Sequence, residues 1–244
     1  MALADPVSFD ERSAAARRRG RTTGLSSLIT ATALVFTALL TNAAAQPDCK
    51  AIEDFSKAKL GELPADWKVR KDSGKEVYRV AEESGLRFLR ATAKGLGVQA
   101  AKEYEWDLGA YPILVWSWRP TEFPKGGDER TSKTNDSVLA VYMLVPHSRV
   151  RGPKAVKYVW SEKVEVGTRL NSNTGLTQVR VLRSAPPAKK GEWVEERVNV
   201  RDDYKKYFEV SETPTPAGIA VLTDSDDTSS TAQGDYANFR VCRQ

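Results

Sequence analysis

The chain has 244 residues, with 37 Lys and Arg against 32 Asp and Glu and a formal net charge of +5. It carries one histidine, His147, and two cysteines, Cys49 and Cys242, which excludes the usual Cys/His zinc sites and leaves any Ser-His triad dependent on a single loop histidine. Acids and bases are interleaved rather than segregated, which argues against nucleic acid as a partner.

The first forty-five residues read as an export signal. Arg17, Arg18, Arg19 and Arg21 form a basic start, an uncharged apolar run spans Leu25 to Leu40, and Ala43-Ala44-Ala45 stands before Gln46. The run falls short of the roughly twenty residues that cross a bilayer. Counted on to Ala45 it approaches that length, so an uncleaved anchor is the alternative, and Arg18-Arg19 leaves a twin-arginine route open. The expectation is a signal peptide over residues 1–45 and one domain over 46–244, periplasmic or secreted, with no membrane span in the mature part. An oxidising compartment favours pairing of Cys49 with Cys242, which sit at the two ends of that domain.

After Cys49 the pattern is short strands broken by turn residues. Strands are predicted at Ala51–Phe55, Glu76–Ala81, Leu86–Thr92, Gly97–Ala101, Ile113–Arg119, Ser137–Val145, Ala155–Trp160, Gln178–Arg183, Glu192–Val200, Gly218–Thr223 and Asp235–Cys242, all rich in β-branched and aromatic residues. Only Arg201–Phe208 reads as a short helix. The fold class is therefore all-β, a single jelly-roll-like antiparallel sandwich with one short helix near residues 201–208. Both sides of Ser137–Val145 are apolar, as in a strand covered on both faces, and in the last strand Ala237, Phe239 and Val241 alternate as the expected core side. Long polar loops fall at Pro120–Asp136, Glu162–Thr177 and Asp224–Gly234.

Several stretches resemble a bacterial family of exported proteins, the domain of unknown function numbered 3047. They are Leu63–Trp67, Trp116–Arg119, Asp128–Arg130, Tyr158–Trp160 with Val166–Thr168, Gly191–Val194, Asp203-Tyr204, and Leu222–Thr228. The resemblance implies one exported domain and brings no activity with it. The chain departs from it at Asn238, where the family more often has Asp. A looser similarity is to jelly-roll carbohydrate-binding modules, through Asp54-Phe55, Pro64–Trp67 and the closing Gly234–Val241.

Candidate chemistry gathers on the loops and on the aromatic residues. Trp116, Trp118, Tyr158, Trp160 and Trp193 invite a sugar-stacking platform, with Trp118 and Trp160 at strand ends beside polar loops; bulky core filling is the competing reading. Asp128, Glu129, Arg130 and Asp136 surround one long loop and could supply the two carboxylates that glycoside hydrolysis needs, against the plainer reading of a solvated charged loop. Asp224, Asp226 and Asp227 offer hard oxygen ligands, so calcium at Asp224–Asp227 is weighed against an Asx-rich turn. The expected ligand-binding set is Trp118, Arg130, Asp136, Tyr158, Trp160, Asp224 and Asp226, on one end or face of the sandwich.

Three functions compete: an exported non-catalytic binder of a glycan or cell-envelope polysaccharide, a glycan-active hydrolase or lyase using loop carboxylates, and a structural envelope protein. An enzyme should bring charged side chains together in one concave groove. A stacking module should expose aromatic residues, and a scaffold should show neither.

Overall fold

The computed structural model describes residues 48–172 and 174–243, so the expected export signal lies outside the described residues. Two β-sheets pack face to face. The first runs β11 (Val194–Asn199), β6 (Ile113–Glu122), β13 (Thr231–Cys242), β4 (Leu86–Lys94) and β3 (Tyr78–Glu83), with β1 (Cys49–Glu53) also paired to β13. The second runs β2 (Trp67–Val69), β5 (Ala100–Glu103), β12 (Gly218–Leu222), β7 (Leu139–Ser148), β8 (Gly152–Ser161), β10 (Thr177–Ser184) and β9 (Arg169–Asn171). The fold is the expected jelly-roll-like sandwich. One pairing, β8 with β10, is parallel, and the Glu162–Thr177 segment that joins them makes the crossover.

Each predicted strand has a counterpart, with ends moved by a few residues. β2, β9 and the one-turn helix α1 (Gly74–Val77) have no counterpart among the predicted elements. The expected helix is α2 (Val200–Phe208). Asn199 caps it by accepting a hydrogen bond from the Asp202 amide at 3.1 Å, Asp202 and Asp203 occupy its first turn, and Lys205 and Lys206 its last, as the helix dipole favours. Asn199→Ala should cost about 1 kcal/mol in urea unfolding; no measurable change would mean that packing alone fixes the start of α2.

The core lies between the sheets. Leu114, Trp116 and Trp118 of β6 point inward and meet Tyr158 and Trp160 of β8, with Trp116–Tyr158 and Trp118–Trp160 ring centroids both 5.7 Å apart. The closing strand corrects one expectation. Asn238 sits at φ 57°, in the left-handed region that Asn and Asp tolerate, and the register of β13 against β6 shifts between Ala237 and Arg240. That bulge inserts one residue and switches the strand's parity. Tyr236, Phe239 and Val241 therefore face the core, whereas Ala237 does not join them. An Asp at position 238 would satisfy the same backbone.

Cys49 and Cys242 are bonded, with Cα atoms 4.0 Å apart, and face each other in the β1–β13 ladder. On the outer face of the first sheet, Asp235 is fully buried. Arg90 grips it with two bonds of 2.9 and 3.1 Å, and Arg119 donates to it at 2.7 Å while also pairing with Glu83. The Arg119 guanidinium lies over the Trp193 ring, 4.6 Å from its centroid. No helix among the described residues is long and apolar enough to cross a membrane.

Candidate functional site

Residues along β7 alternate between two environments. Leu139, Val141 and Met143 enter the inter-sheet core, whereas Ala140, Tyr142 and Leu144 join Ala155, Val159, Val181 and Ala220 on the opposite face of the seven-stranded sheet. Small residues at Ala140, Ala155 and Ala220 keep that face low. Above it opens a cleft of about 810 Å³.

Its floor is polar where β7 and β8 cross it. Lys157 on β8 and Tyr142 on β7 are register partners, both buried, with the Lys157 ammonium 5.6 Å from the Tyr142 ring centroid. Glu129 and Asp224 also line the cleft. Burial works against the Lys157 charge, but Tyr142, Asp224 and Glu129 around it outweigh that cost and hold its pKa above the usual lysine value. Burial raises the Tyr142 phenol. Burial first, and then the Asp226 carboxyl beside it, push Asp224 up to about 8, while Lys157 pulls the other way. Glu129 is fixed by two hydroxyls, Ser137 Oγ donating at 2.8 Å and Ser161 Oγ at 2.5 Å.

The rim is basic. Arg70, Arg130 and Arg151 all line the cleft and are exposed. Arg130 donates to Asp128 through Nε at 2.8 Å and Nη2 at 2.6 Å, and this guanidinium holds the Asp128 carboxyl down at about 2. Arg70 and Arg151 belong to no ion pair among the described residues, and neither does Lys157. Gln99, Asn135, Asn171 and Ser172 add hydrogen-bonding groups along the same walls.

Tyrosine hydroxyls from the first sheet anchor the cleft's edge. Tyr236 Oη donates to the Leu222 carbonyl at 2.8 Å, accepts from the Ala140 amide at 3.2 Å and lies 2.9 Å from Thr223 Oγ1. Tyr78 Oη donates to the Val98 carbonyl at 2.8 Å and accepts from the Thr223 amide at 3.3 Å. These bonds cross the sandwich and fix the end of β12, where Asp224 begins its loop. Asp136 holds the far side of that loop, accepting from the Asp227 amide at 3.2 Å, the Thr228 amide at 2.8 Å and Thr228 Oγ1 at 2.5 Å.

The residues singled out from the sequence therefore separate. Arg130 and Asp224 lie on the cleft, and Asp136 and Asp226 cluster behind Asp224 at its edge. Trp118, Tyr158 and Trp160 are placed otherwise than expected. All three are buried between the sheets, because the parity of β6 and β8 turns them away from the cleft. Trp118 Nε1 donates to Glu196 at 3.1 Å, Trp160 Nε1 to the Ala185 carbonyl at 2.9 Å, and Tyr158 Oη to Asp203 at 2.8 Å. The row expected to stack on sugar is core. Tyr142, Lys157, Arg70 and Arg151 were not foreseen; a lone Lys157 inside the apolar run Ala155–Trp160 was the one signal that could have flagged the floor.

Solved structures similar to this chain include a CBM27-1 module from Caldicellulosiruptor saccharolyticus in complex with mannohexaose, at 12% identity and TM-score 0.43, covering 82% of this chain and 99% of that one. Another is a CBM29-2 carbohydrate-binding module, at 11% identity and TM-score 0.35, covering 81% and 94%. A third is a cellulase derived from Cel12A of Rhodothermus marinus, at 12% identity and TM-score 0.37, covering 74% and 98%. No curated protein sequence matches the chain. One family does match, over residues 65–240, and the chain belongs to it: the family described as Protein of unknown function (DUF3047).

Proposed function

We propose that this is an exported glycan-binding protein whose ligand carries negative charge and lies in the cleft on the outer face of the seven-stranded sheet. The observation that carries the reading is the cleft itself, about 810 Å³ with Arg70, Arg130 and Arg151 on its rim and Lys157 in its floor. Guanidinium groups present directed donors to carboxylate, sulfate or phosphate groups, and the amide and hydroxyl side chains of Gln99, Asn135, Asn171 and Ser172 suit a hydroxyl-rich chain. Export is part of the reading. A disulfide such as Cys49–Cys242 persists in oxidising compartments, and the basic and apolar order before Gln46 supports a cleaved signal.

Affinity electrophoresis of the purified domain tests the reading, with polygalacturonate or alginate in the gel against neutral glucan and mannan. Retardation by the acidic polymers should weaken with added salt, and Arg70→Ala with Arg151→Ala should abolish it without lowering thermal stability. Absence of retardation by any polymer sinks the proposal, and equal retardation by neutral polymers removes the charge from it.

A second reading is favoured by one observation: Glu129 and Asp224 line the same cleft as Lys157 and Tyr142. Two carboxylates facing one sugar chain are what glycoside hydrolysis requires. Release of reducing ends from a retained polymer, lost in Glu129→Gln, is the expected result of that reading; binding without release leaves the first.

A further inference from the structure

The Asp224 loop meets Asp136 at the edge of the cleft, where Asp136 is held by hydrogen bonds from the loop and Lys157 lies near Asp224 without forming an ion pair. Asp136, Asp226 and Asp227 each offer an oxygen, and these oxygens lie within 4.8 Å of one another. Asp136 is fully buried, yet none of Asp136, Asp224, Asp226 or Asp227 takes part in an ion pair among the described residues. Gathering four carboxyl groups here, two of them buried, is costly unless a cation offsets their mutual repulsion.

A separate observation points to what fills the gap. Asp224 is 8% exposed, and its Oδ1 is buried with no hydrogen-bond partner. That oxygen is aimed at the cluster. A Cβ placed on Gly97 would stand 2.3 Å from Asp224 Oδ1 and 2.6 Å from Asp226 Oδ1, so the two oxygens converge over a residue that offers no side chain. Gly97 is itself bridged to Asp224 across an isolated β-pair. The Ser225 hydroxyl beside them is likewise buried and without a partner.

We propose that Asp136, Asp224, Asp226 and Asp227 together hold a calcium ion at the edge of the cleft. The donors are all hard oxygens on two loops, the set that calcium takes in six- to eight-fold coordination, with water or backbone carbonyls completing the shell. Magnesium demands a stricter octahedron and keeps more of its water. The ion would tie the β12–β13 loop to the segment before β7. Because Asp224 and Gly97 also line the cleft, it would set the position of that wall.

The test uses the purified domain after chelation, titrated with calcium chloride by calorimetry, with thermal unfolding followed in calcium and in a chelator. One saturable calcium site and a higher Tm in calcium are expected. Asp226 and Asp227 are exposed, so Asp226→Asn and Asp227→Asn should fold. Each should weaken calcium on the order of tenfold or more, because affinity follows the charge of the ligand set. No heat and no Tm shift with calcium overturns the proposal, as does an unchanged calcium response in both variants. A response to magnesium that calcium does not match overturns the assignment of the ion.

Discussion

Replacing both Cys49 and Cys242 with serine is expected to lower the unfolding free energy by several kcal/mol. The two residues are 193 apart in the chain. In the chain-entropy account, a loop of that length is worth up to about 5 kcal/mol through restriction of the unfolded state. The expected result is a fall in the urea midpoint, matched by the parent protein under a strong reductant. The denaturant slope should rise if the released chain expands. A loss under about 1 kcal/mol would show that the β1–β13 ladder holds the ends without help from the bond, against the 2–5 kcal/mol usual for small exported domains.

Asp235→Ala should cost about 3–5 kcal/mol, because removing one partner of a buried pair leaves the others charged and unpaired. Here two guanidiniums are stranded. Arg119 is almost wholly buried and Arg90 is partly so, and each loses its bond to the same carboxylate. Asp235→Asn keeps the shape but removes the charge and one acceptor, and should fall between the alanine variant and the parent. Urea midpoints of the three proteins decide the matter. If the alanine variant matches the parent, then Glu83 and the stacking of Arg119 on Trp193 suffice to hold this face.

What could be read from the residues follows from how far each signal reaches. Strands of six or more residues announce themselves by period, so β3, β4, β6, β7 and β8 were legible. Three-residue strands such as Trp67–Val69 and Arg169–Asn171 contain too few alternations to show a period. The disulfide was legible because only two cysteines exist. Parity was not. Alternation states that Trp116 and Trp118 share a side, but core and solvent rows carry the same pattern, and a single bulge at Asn238 reverses the assignment of β13 before it, at Tyr236 and Ala237, while Phe239 and Val241 keep theirs. The cleft was hidden for a related reason. Its floor residue Tyr142 stands in a strand that reads as apolar on both sides, Lys157 is a lone charge in an apolar run, and its acids and arginines come from segments separated in the chain. Arg130 and Asp224 were singled out because polar loops advertise charge, whereas Arg70 and Arg151 sit among many similar residues.

The pairing of β13 has a consequence for how the chain comes into being. β1, β4 and β6 all precede residue 123, yet each completes its hydrogen bonding only against a strand that begins at Thr231. Synthesis runs from the N-terminus, so these strands emerge long before their shared partner exists. Contacts so distant along the chain bring no return until the loop between them has closed. The first sheet therefore stays open until β13 is made, and the nascent polypeptide remains threadable until then. Under the export proposed above, folding would complete on the far side of a translocation channel, where the cysteines could lock the two ends in the same event that zips the sheet.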